Sequence, residues 1–309
     1  MNFTNTKQIK SVFKISQDMT VEKFVSKNIN QYYFIKKKSK NPRQIYIPSI
    51  QLKTIQKWIL KKILTKEFSS SEVAHGFISG RSIVTNAREH LYKEPSWILT
   101  MDITNFFDSI RFDSIEHLFR QHGYTKEVSR TFATLCTYRG KLVQGFPTSP
   151  FLANLYLKSF DVYLKSNLQK YNVKYTRYAD DLTFSGNIEK NYESFILESE
   201  RMVEKGLTKL QLRVNSKKTN IQTKERKIVT GIWLYKNKLS VSNNYLKKFR
   251  REIYYCKKYG VIDHLIHTNK VEISNFHGYM YGKAYFVKMV DENLGMKLLK
   301  ELNDLNWPM

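Results

Sequence analysis

The chain has 309 residues, 41% of them hydrophobic and 26% charged, a balance that supports a packed core and excludes global disorder. Its 52 Lys and Arg stand against 27 Asp and Glu, a formal charge of +25. A body that basic repels itself unless it meets a polyanion, so nucleic acid is the expected partner. No stretch approaches the roughly 20 apolar residues of a spanning helix. The N-terminus, MNFTNTKQIKSVFKISQDMT, lacks the apolar block and cleavage site of a signal peptide. Cys136 and Cys256 are too few and too isolated for a disulfide framework or a zinc site. A cytoplasmic protein with reduced thiols and no membrane attachment is expected.

In chain order, residues 30–49 read as a β-hairpin: an aromatic strand, a basic turn carrying Asn41-Pro42, and the alternating strand Arg43-Gln44-Ile45-Tyr46-Ile47. Leu52, Ile55, Ile59 and Ile63 recur at helical spacing, with Trp58 and Leu64 widening the stripe, which predicts an amphipathic helix. Residues 97–103 form a short apolar run interrupted by an acid. The spacing predicts a helix over 152–169, a strand–turn–strand around an acidic tip over 173–186, and a further helix over 194–212. Residues 227–241 suggest two short strands, and from about 243 the chain is basic, aromatic and helical in pattern. Repeats, low-complexity tracts and Pro/Gly-rich linkers are absent from the sequence. Strands interleaved with helices indicate an α+β or α/β mixture with a helical C-terminal part.

Three blocks carry chemistry. Tyr178-Ala179-Asp180-Asp181 lies between two alternating strand patterns. Two adjacent acids at a hairpin tip repel each other and contribute nothing to a core; alone they are most simply a solvated turn. Phosphoryl transfer gives them a use, because divalent cations activate an attacking hydroxyl and stabilise the leaving pyrophosphate, and hard cations take carboxylate oxygens. Asp102 follows the apolar run Trp97-Ile98-Leu99-Thr100-Met101, and an acid emerging from a buried strand is costly unless paired or ligated. Asp108 and Asp113 are read as a helix start or turn, hence structural. The third block, Gln144-Gly145-Phe146-Pro147-Thr148-Ser149-Pro150, is a glycine turn leading into a helix.

In this order the blocks resemble reverse transcriptases, and within them the bacterial retron reverse transcriptases. Asn86-Ala87-Arg88-Glu89-His90 matches the NAxxH element of the retron insertion, and Val229-Thr230-Gly231 matches the VTG triplet of the region that recognises a structured RNA. QGFPTSP and YADD are forms usual in that group, and the matches run from about residue 30 to about residue 290. The resemblance implies an α+β right-hand polymerase fold with fingers, a palm of antiparallel sheet backed by helices, and a small helical thumb. The implied boundaries are an N-terminal segment 1–29, fingers and palm 30–235, and a thumb and RNA-binding region 236–309.

It further implies that Asp102, Asp180 and Asp181 are catalytic. These three, with the Ile103 carbonyl as a backbone ligand, would hold two Mg²⁺ ions. Phe107, five positions after Asp102, takes the place of an aromatic gate against a 2′-hydroxyl; the competing reading makes Phe106 and Phe107 core. Gln144 would line the incoming nucleotide and Arg43 would contact its triphosphate, a guanidinium fitting phosphate oxygens bidentately. Lys218 matches a late-palm lysine that protonates pyrophosphate, with Lys217 one residue away as the alternative. Phe146 stands where many relatives have Ala, which implies a bulky residue pressing on the template or primer strand. Asn86 and His90, spaced i,i+4, are expected to be a structural hydrogen-bonding pair supporting the RNA interface.

Val229, Thr230, Gly231, Lys247, Lys248, Arg250 and Arg251 are the expected RNA-binding residues. Lys36, Lys37, Lys38 and Lys40 beside Tyr32, Tyr33 and Phe34, and Tyr254, Tyr255, Lys257 and Lys258 near the other end, combine phosphate-binding charge with stacking surfaces. The expected function is reverse transcription of a cognate msr–msd type noncoding RNA into msDNA, primed from a guanosine 2′-hydroxyl, using dNTPs and acting in antiphage defence with a separately encoded effector. The rival readings are a group II intron-like or diversity-generating reverse transcriptase, and a non-catalytic structured-RNA-binding protein.

Overall fold

The computed structural model describes residues 3–34, 43–91, 94–187, 192–268 and 275–308. The chain opens with α1 (Thr6–Val12) and α2 (Val21–Lys27), capped by the side chains of Asn5 and Thr20. Phe3, Ile9, Ile15, Val21, Phe24 and Val25 are buried in the main core, so this motif-free segment is built into the body of the fold. The predicted first hairpin is β1 (Ile29–Phe34) and β2 (Arg43–Pro48), antiparallel; its basic turn, with Lys36, Lys37, Lys38, Lys40 and Asn41-Pro42, lies outside the described residues. Ser49 then caps α3 (Ile50–Ile59), which passes through a π-helical stretch at 60–64 into α4 (Thr65–Glu67). The predicted stripe Leu52, Ile55, Ile59 and Ile63 is buried.

After the loop 68–82, α5 (Ile83–Glu89) starts on a reciprocal cap in which Ser82 and Thr85 exchange side-chain and backbone hydrogen bonds. The strand β3 (Trp97–Asp102) leads to α6 (Phe106–Ser109), α7 (Phe112–Gln121) and α8 (Lys126–Cys136). The helix predicted over 152–169 is two: α9 (Ser149–Tyr156) and α10 (Lys158–Gln169), meeting at Leu157. The acidic hairpin is β4 (Lys174–Tyr178) and β5 (Asp181–Gly186), followed by α11 (Tyr192–Lys209), a 3₁₀ turn at Ser216–Lys218 and the short β6 (Asn220–Gln222).

Where two strands were expected there are three: β7 (Lys227–Val229), β8 (Ile232–Tyr235) and β9 (Lys238–Ser240). Both connections are two-residue turns with positive φ, Thr230 (47°) with Gly231 (83°) and Lys236 (46°) with Asn237 (54°), the backbone form that matches hairpin twist. Four helices complete the chain: α12 (Asn243–Tyr259), α13 (Val261–His267), α14 (Phe276–Val290) and α15 (Glu292–Asn303).

The palm sheet has the order β4-β5-β3-β6, all antiparallel. Residues directly opposite in an antiparallel pair share a face. Asp102 faces Asp181, Thr100 faces Thr183 and Ile98 faces Ser185, so carboxylates occupy one end of a sheet face whose other end carries Ile98 and Ser185. The opposite face is apolar, with Leu99, Met101, Leu182 and Phe184 in the main core. A second core joins α12 to α15 around Phe249, Met280, Val287 and Leu302. A third, small one links Val84 and Ala87 of α5 to Ile98, Val229, Ile232 and Leu234. The observed architecture is the expected α+β one.

Candidate active site

The acidic hairpin tip is shaped from behind. Ala179 has φ +57°, so the turn needs support that a residue with a Cβ does not supply for itself. Arg177, fully buried, provides it: Nη1 donates to the Ala179 carbonyl (2.9 Å) and to Asn154 Oδ1 (2.9 Å), while Nε and Nη2 grip Asp161 Oδ1 (2.9 Å) and Oδ2 (2.7 Å). Tyr175 donates its hydroxyl to the same Asp161 Oδ1 at 2.9 Å. A bidentate guanidinium–carboxylate pair with its remaining donors satisfied is the form in which a buried ion pair is tolerable. This network was missed from sequence; its only signal is the acid Asp161 on the helical face that also carries Phe160 and Leu164.

Gly76 backs onto the same turn: a Cβ there would sit 2.6 Å from the Ala179 nitrogen. Asn154 Nδ2 donates to the Gly76 carbonyl at 2.8 Å. The hairpin tip is thereby wedged between the 71–81 loop and the buried arginine.

Asp102, only 5% exposed, ends β3 opposite Asp181. Its carboxylate accepts from Lys218 Nζ at 2.6 Å and from Asn215 Nδ2 at 3.1 Å, and the Asn215 amide donates to the Asp102 carbonyl at 2.7 Å. The Ile103 amide donates to the Asp180 carbonyl at 3.1 Å, which ties the two acidic segments together by backbone. Removal from solvent, then the charges of Asp180 and Asp102, push the Asp181 carboxyl up to about 6, with Lys218 pulling the other way.

The donor set, carboxylate and backbone oxygens without thiol or imidazole, suits a hard divalent cation. Among the described residues no group of three ligating side chains is already closed around a cation position; Asp102 is instead held by Lys218 and Asn215. A cation arriving here relieves the mutual repulsion of the carboxylates and competes with Lys218 for Asp102.

Residues 35–243 match the family model described as reverse transcriptase (RNA-dependent DNA polymerase), and they enclose all three acids. The chain belongs to the reverse transcriptase family. It is 34% identical over 244 residues to the retron Ec86 reverse transcriptase of Escherichia coli, covering 75% of this chain and 72% of that one. It is 29% identical over 248 residues to the retron Se72 reverse transcriptase of Salmonella heidelberg, covering 79% and 64%. With the retron Ec83 reverse transcriptase of Escherichia coli the identity is 26% over 292 residues, 87% and 88% of the two chains. This reverse transcriptase is thus of the bacterial retron group, an RNA-directed DNA polymerase whose family uses divalent metal.

The other predicted residues fall into place unevenly around the acids of this reverse transcriptase. Phe106 is buried in the main core and Phe107 half-buried against it, their rings 5.5 Å apart. Gln144 is half-buried and accepts the Tyr46 amide on its carbonyl at 2.9 Å. Gly145, at φ +108°, lies so close to the Tyr46 carbonyl that a Cβ would collide with it. The glycine turn therefore docks on β2 at Ile45 and Tyr46; the Arg43 side chain lies outside the described residues. Of the two adjacent lysines, Lys218 reaches Asp102. Asp108 pairs with Lys141 at 2.7 Å and Asp113 sits in the first turn of α7, as expected for structural acids.

Two expectations are corrected. Phe146 is 2% exposed within the main core, so its ring fills the palm and does not press on a nucleic-acid strand. Val229 is fully buried against α5, and Thr230 donates its hydroxyl to the Ile83 carbonyl (3.1 Å) while accepting from Asn86 Nδ2 (3.5 Å). Of the triplet, only Gly231 is exposed. The triplet is a turn clasped to the NAxxH helix, so its Val and Thr side chains are occupied within the protein.

His90 completes the joint. Its Nδ1 lies 2.7 Å from Ser185 Oγ and its Nε2 2.7 Å from Thr176 Oγ1, so it bridges two palm strands. Burial pushes its pKa down to about 3, which keeps the ring neutral. Lys247, Lys248, Arg250 and Arg251 are exposed on α12, whose opposite side buries Phe249, Ile253 and Cys256.

Proposed function

We propose that this reverse transcriptase copies part of a cognate structured noncoding RNA into msDNA. Synthesis begins at the 2′-hydroxyl of a guanosine in that RNA, in the cytoplasm, and serves antiphage defence together with a separately encoded effector. The observation that carries the catalytic part is the backbone-locked meeting of Asp102 with Asp180-Asp181, in a chain whose relatives are retron reverse transcriptases.

Asp102, Asp180 and Asp181, with the Ile103 carbonyl, would hold the metal, taken here as two Mg²⁺ ions. Metal held there would supply activation of the primer hydroxyl and stabilisation of the leaving pyrophosphate. The chain's own groups do the rest. Arg177 and Gly76 fix the height of the acidic turn. Lys218 donates to Asp102 at 2.6 Å, and in this reading it hands a proton to pyrophosphate. Phe107 stands where a ribose 2′-hydroxyl would collide, while Gln144 and Arg43 contact the incoming dNTP. Lys247, Lys248, Arg250 and Arg251 bind phosphates of the RNA partner, and α5 presents the β7–β9 sheet to its folded part. No described helix is long and apolar enough to cross a membrane.

The test is to express the protein with its native flanking DNA, purify it and analyse the bound nucleic acid. A short single-stranded DNA that stays joined to RNA until a debranching enzyme is added supports the proposal. RNA without attached DNA, even after Mg²⁺ and dNTPs are supplied, refutes it.

A further inference from the structure

The loop 71–81 carries an aromatic side chain that no catalytic motif accounts for. Phe77 is 49% exposed, and its backbone is left-handed at φ +61°, a conformation costly for a residue with a Cβ. Such a residue persists only where its surroundings over-determine it, and here they do. The His75 amide donates to the Arg177 carbonyl (2.7 Å), and the Arg177 amide to the Val73 carbonyl (2.8 Å). Asn154 holds the Gly76 carbonyl. The Arg81 guanidinium gathers the carbonyls of Ser71 (3.1 Å), Glu72 (2.8 Å) and Ala74. Phe77 is therefore placed by Arg177 and Asn154, the same residues that shape the acidic turn.

From that position its ring meets Phe107 edge-on, with centroids 6.3 Å apart and planes at 64°. Phe107 needs such a neighbour. It is half-buried in the four-residue α6 and packs against the main core, which leaves part of the ring uncovered. On its inner side Phe107 contacts Phe106, which is anchored in the core. Selection by collision fails if the wall yields, and the feature to be excluded is a single hydroxyl oxygen.

We propose that Phe77 is a positioning residue for sugar selection: its ring braces Phe107 from the side of the acidic hairpin and keeps that wall from yielding to a ribonucleotide. This rests on Phe107 being the sugar gate. The loop therefore couples the two catalytic segments, its backbone to the acidic hairpin and its side chain to the helix after Asp102.

The test is steady-state incorporation of dTTP and UTP by the full-length protein on an oligo(dT)-primed poly(rA) template. The variants are Phe77→Ala, Phe77→Tyr, Phe107→Ala and Phe77→Ala with Phe107→Ala. Thermal unfolding of each confirms that it is folded, and Phe77→Leu replaces Phe77→Ala if the latter is not. Phe77→Ala is expected to raise UTP efficiency relative to dTTP about two- to tenfold, the equivalent of one aromatic edge contact. The change should lie in the UTP KM, with kcat for dTTP within about twofold of the parent. Phe77→Tyr should behave as the parent, and Phe77→Ala should add nothing once Phe107 is Ala. If Phe107→Ala relaxes selection and Phe77→Ala does not, the brace is refuted and the gate stands. A Phe77→Ala effect confined to template affinity also refutes it, as does one that persists undiminished without Phe107. If Phe107→Ala leaves selection unchanged, the gate reading fails and the brace falls with it.

Discussion

At the scale of single residues, the site depends on how buried charge is satisfied. Lys218 and Asn215 hold Asp102, an acid that emerges from a buried strand and would otherwise be unpaired. Lys218→Met should lower kcat about 10²-fold or more, as loss of a positioned acid does. Lys217→Met should stay near the parental rate. Deeper in, Arg177 and Asp161 are both fully buried. Arg177→Met leaves the Asp161 charge without its partner, so denaturant unfolding should show a loss of about 3–5 kcal/mol.

His90 takes up its proton at a lower pH than a surface histidine. Its folded pKa of about 3 lies below the ordinary 6.5, so acid favours the unfolded chain, which takes up the proton more readily. Its contribution is intact above about pH 6.5 and is lost progressively as pH falls toward 3. His90→Gln should be less stable than the parent at pH 8 by about 1–2 kcal/mol for the altered hydrogen bonds. The gap should narrow, and can invert, as unfolding is measured at successively lower pH.

At the scale of elements, α5 is the hinge pin of the molecule. It buries Val84 and Ala87 against β7 and β8, bonds Thr230 through Asn86 and Ile83, and is followed directly by His90 on the palm sheet. Thr230→Val removes the hydroxyl from both contacts, and should cost about 1–3 kcal/mol and speed hydrogen exchange in β7–β9 ahead of the palm. Much of this level was legible in the sequence. Aromatic content marked β1, alternation marked β2, β4 and β5, and the 3.6-residue stripe marked α3, because those patterns are local. The acids were legible because charge at the end of an apolar run conflicts with burial and demands a partner.

The rest depends on contacts that no local pattern reports. Arg177 meets partners 16 and 23 residues away, and Gly76 packs on a turn a hundred residues on. The motif spacing of Val229 and Phe146 carried no information about which face they present, and the structure turns both inward. The third strand of the β7–β9 sheet was hidden because its turn, Lys236-Asn237, adopts positive φ without a glycine.

At the scale of the whole molecule, the +25 charge sets the terms of nucleic-acid binding. The C-terminal helices form their own core, and α12 turns Lys247, Lys248, Arg250 and Arg251 outward. Replacing all four by Gln should reduce the slope of log K against log salt for binding of the RNA partner by about 3, while the KM for dNTP stays within about twofold. A slope unchanged by the four substitutions would move the RNA contact elsewhere.

The most direct measurement is metal-dependent dNTP incorporation by Asp180→Asn with Asp181→Asn, made beside RNA binding on the same preparation. The expected result is no synthesis with Mg²⁺ or Mn²⁺, RNA affinity within about twofold of the parent, and an unchanged or raised unfolding midpoint as the repulsion is relieved. Synthesis at the parental rate would contradict the assignment of the site.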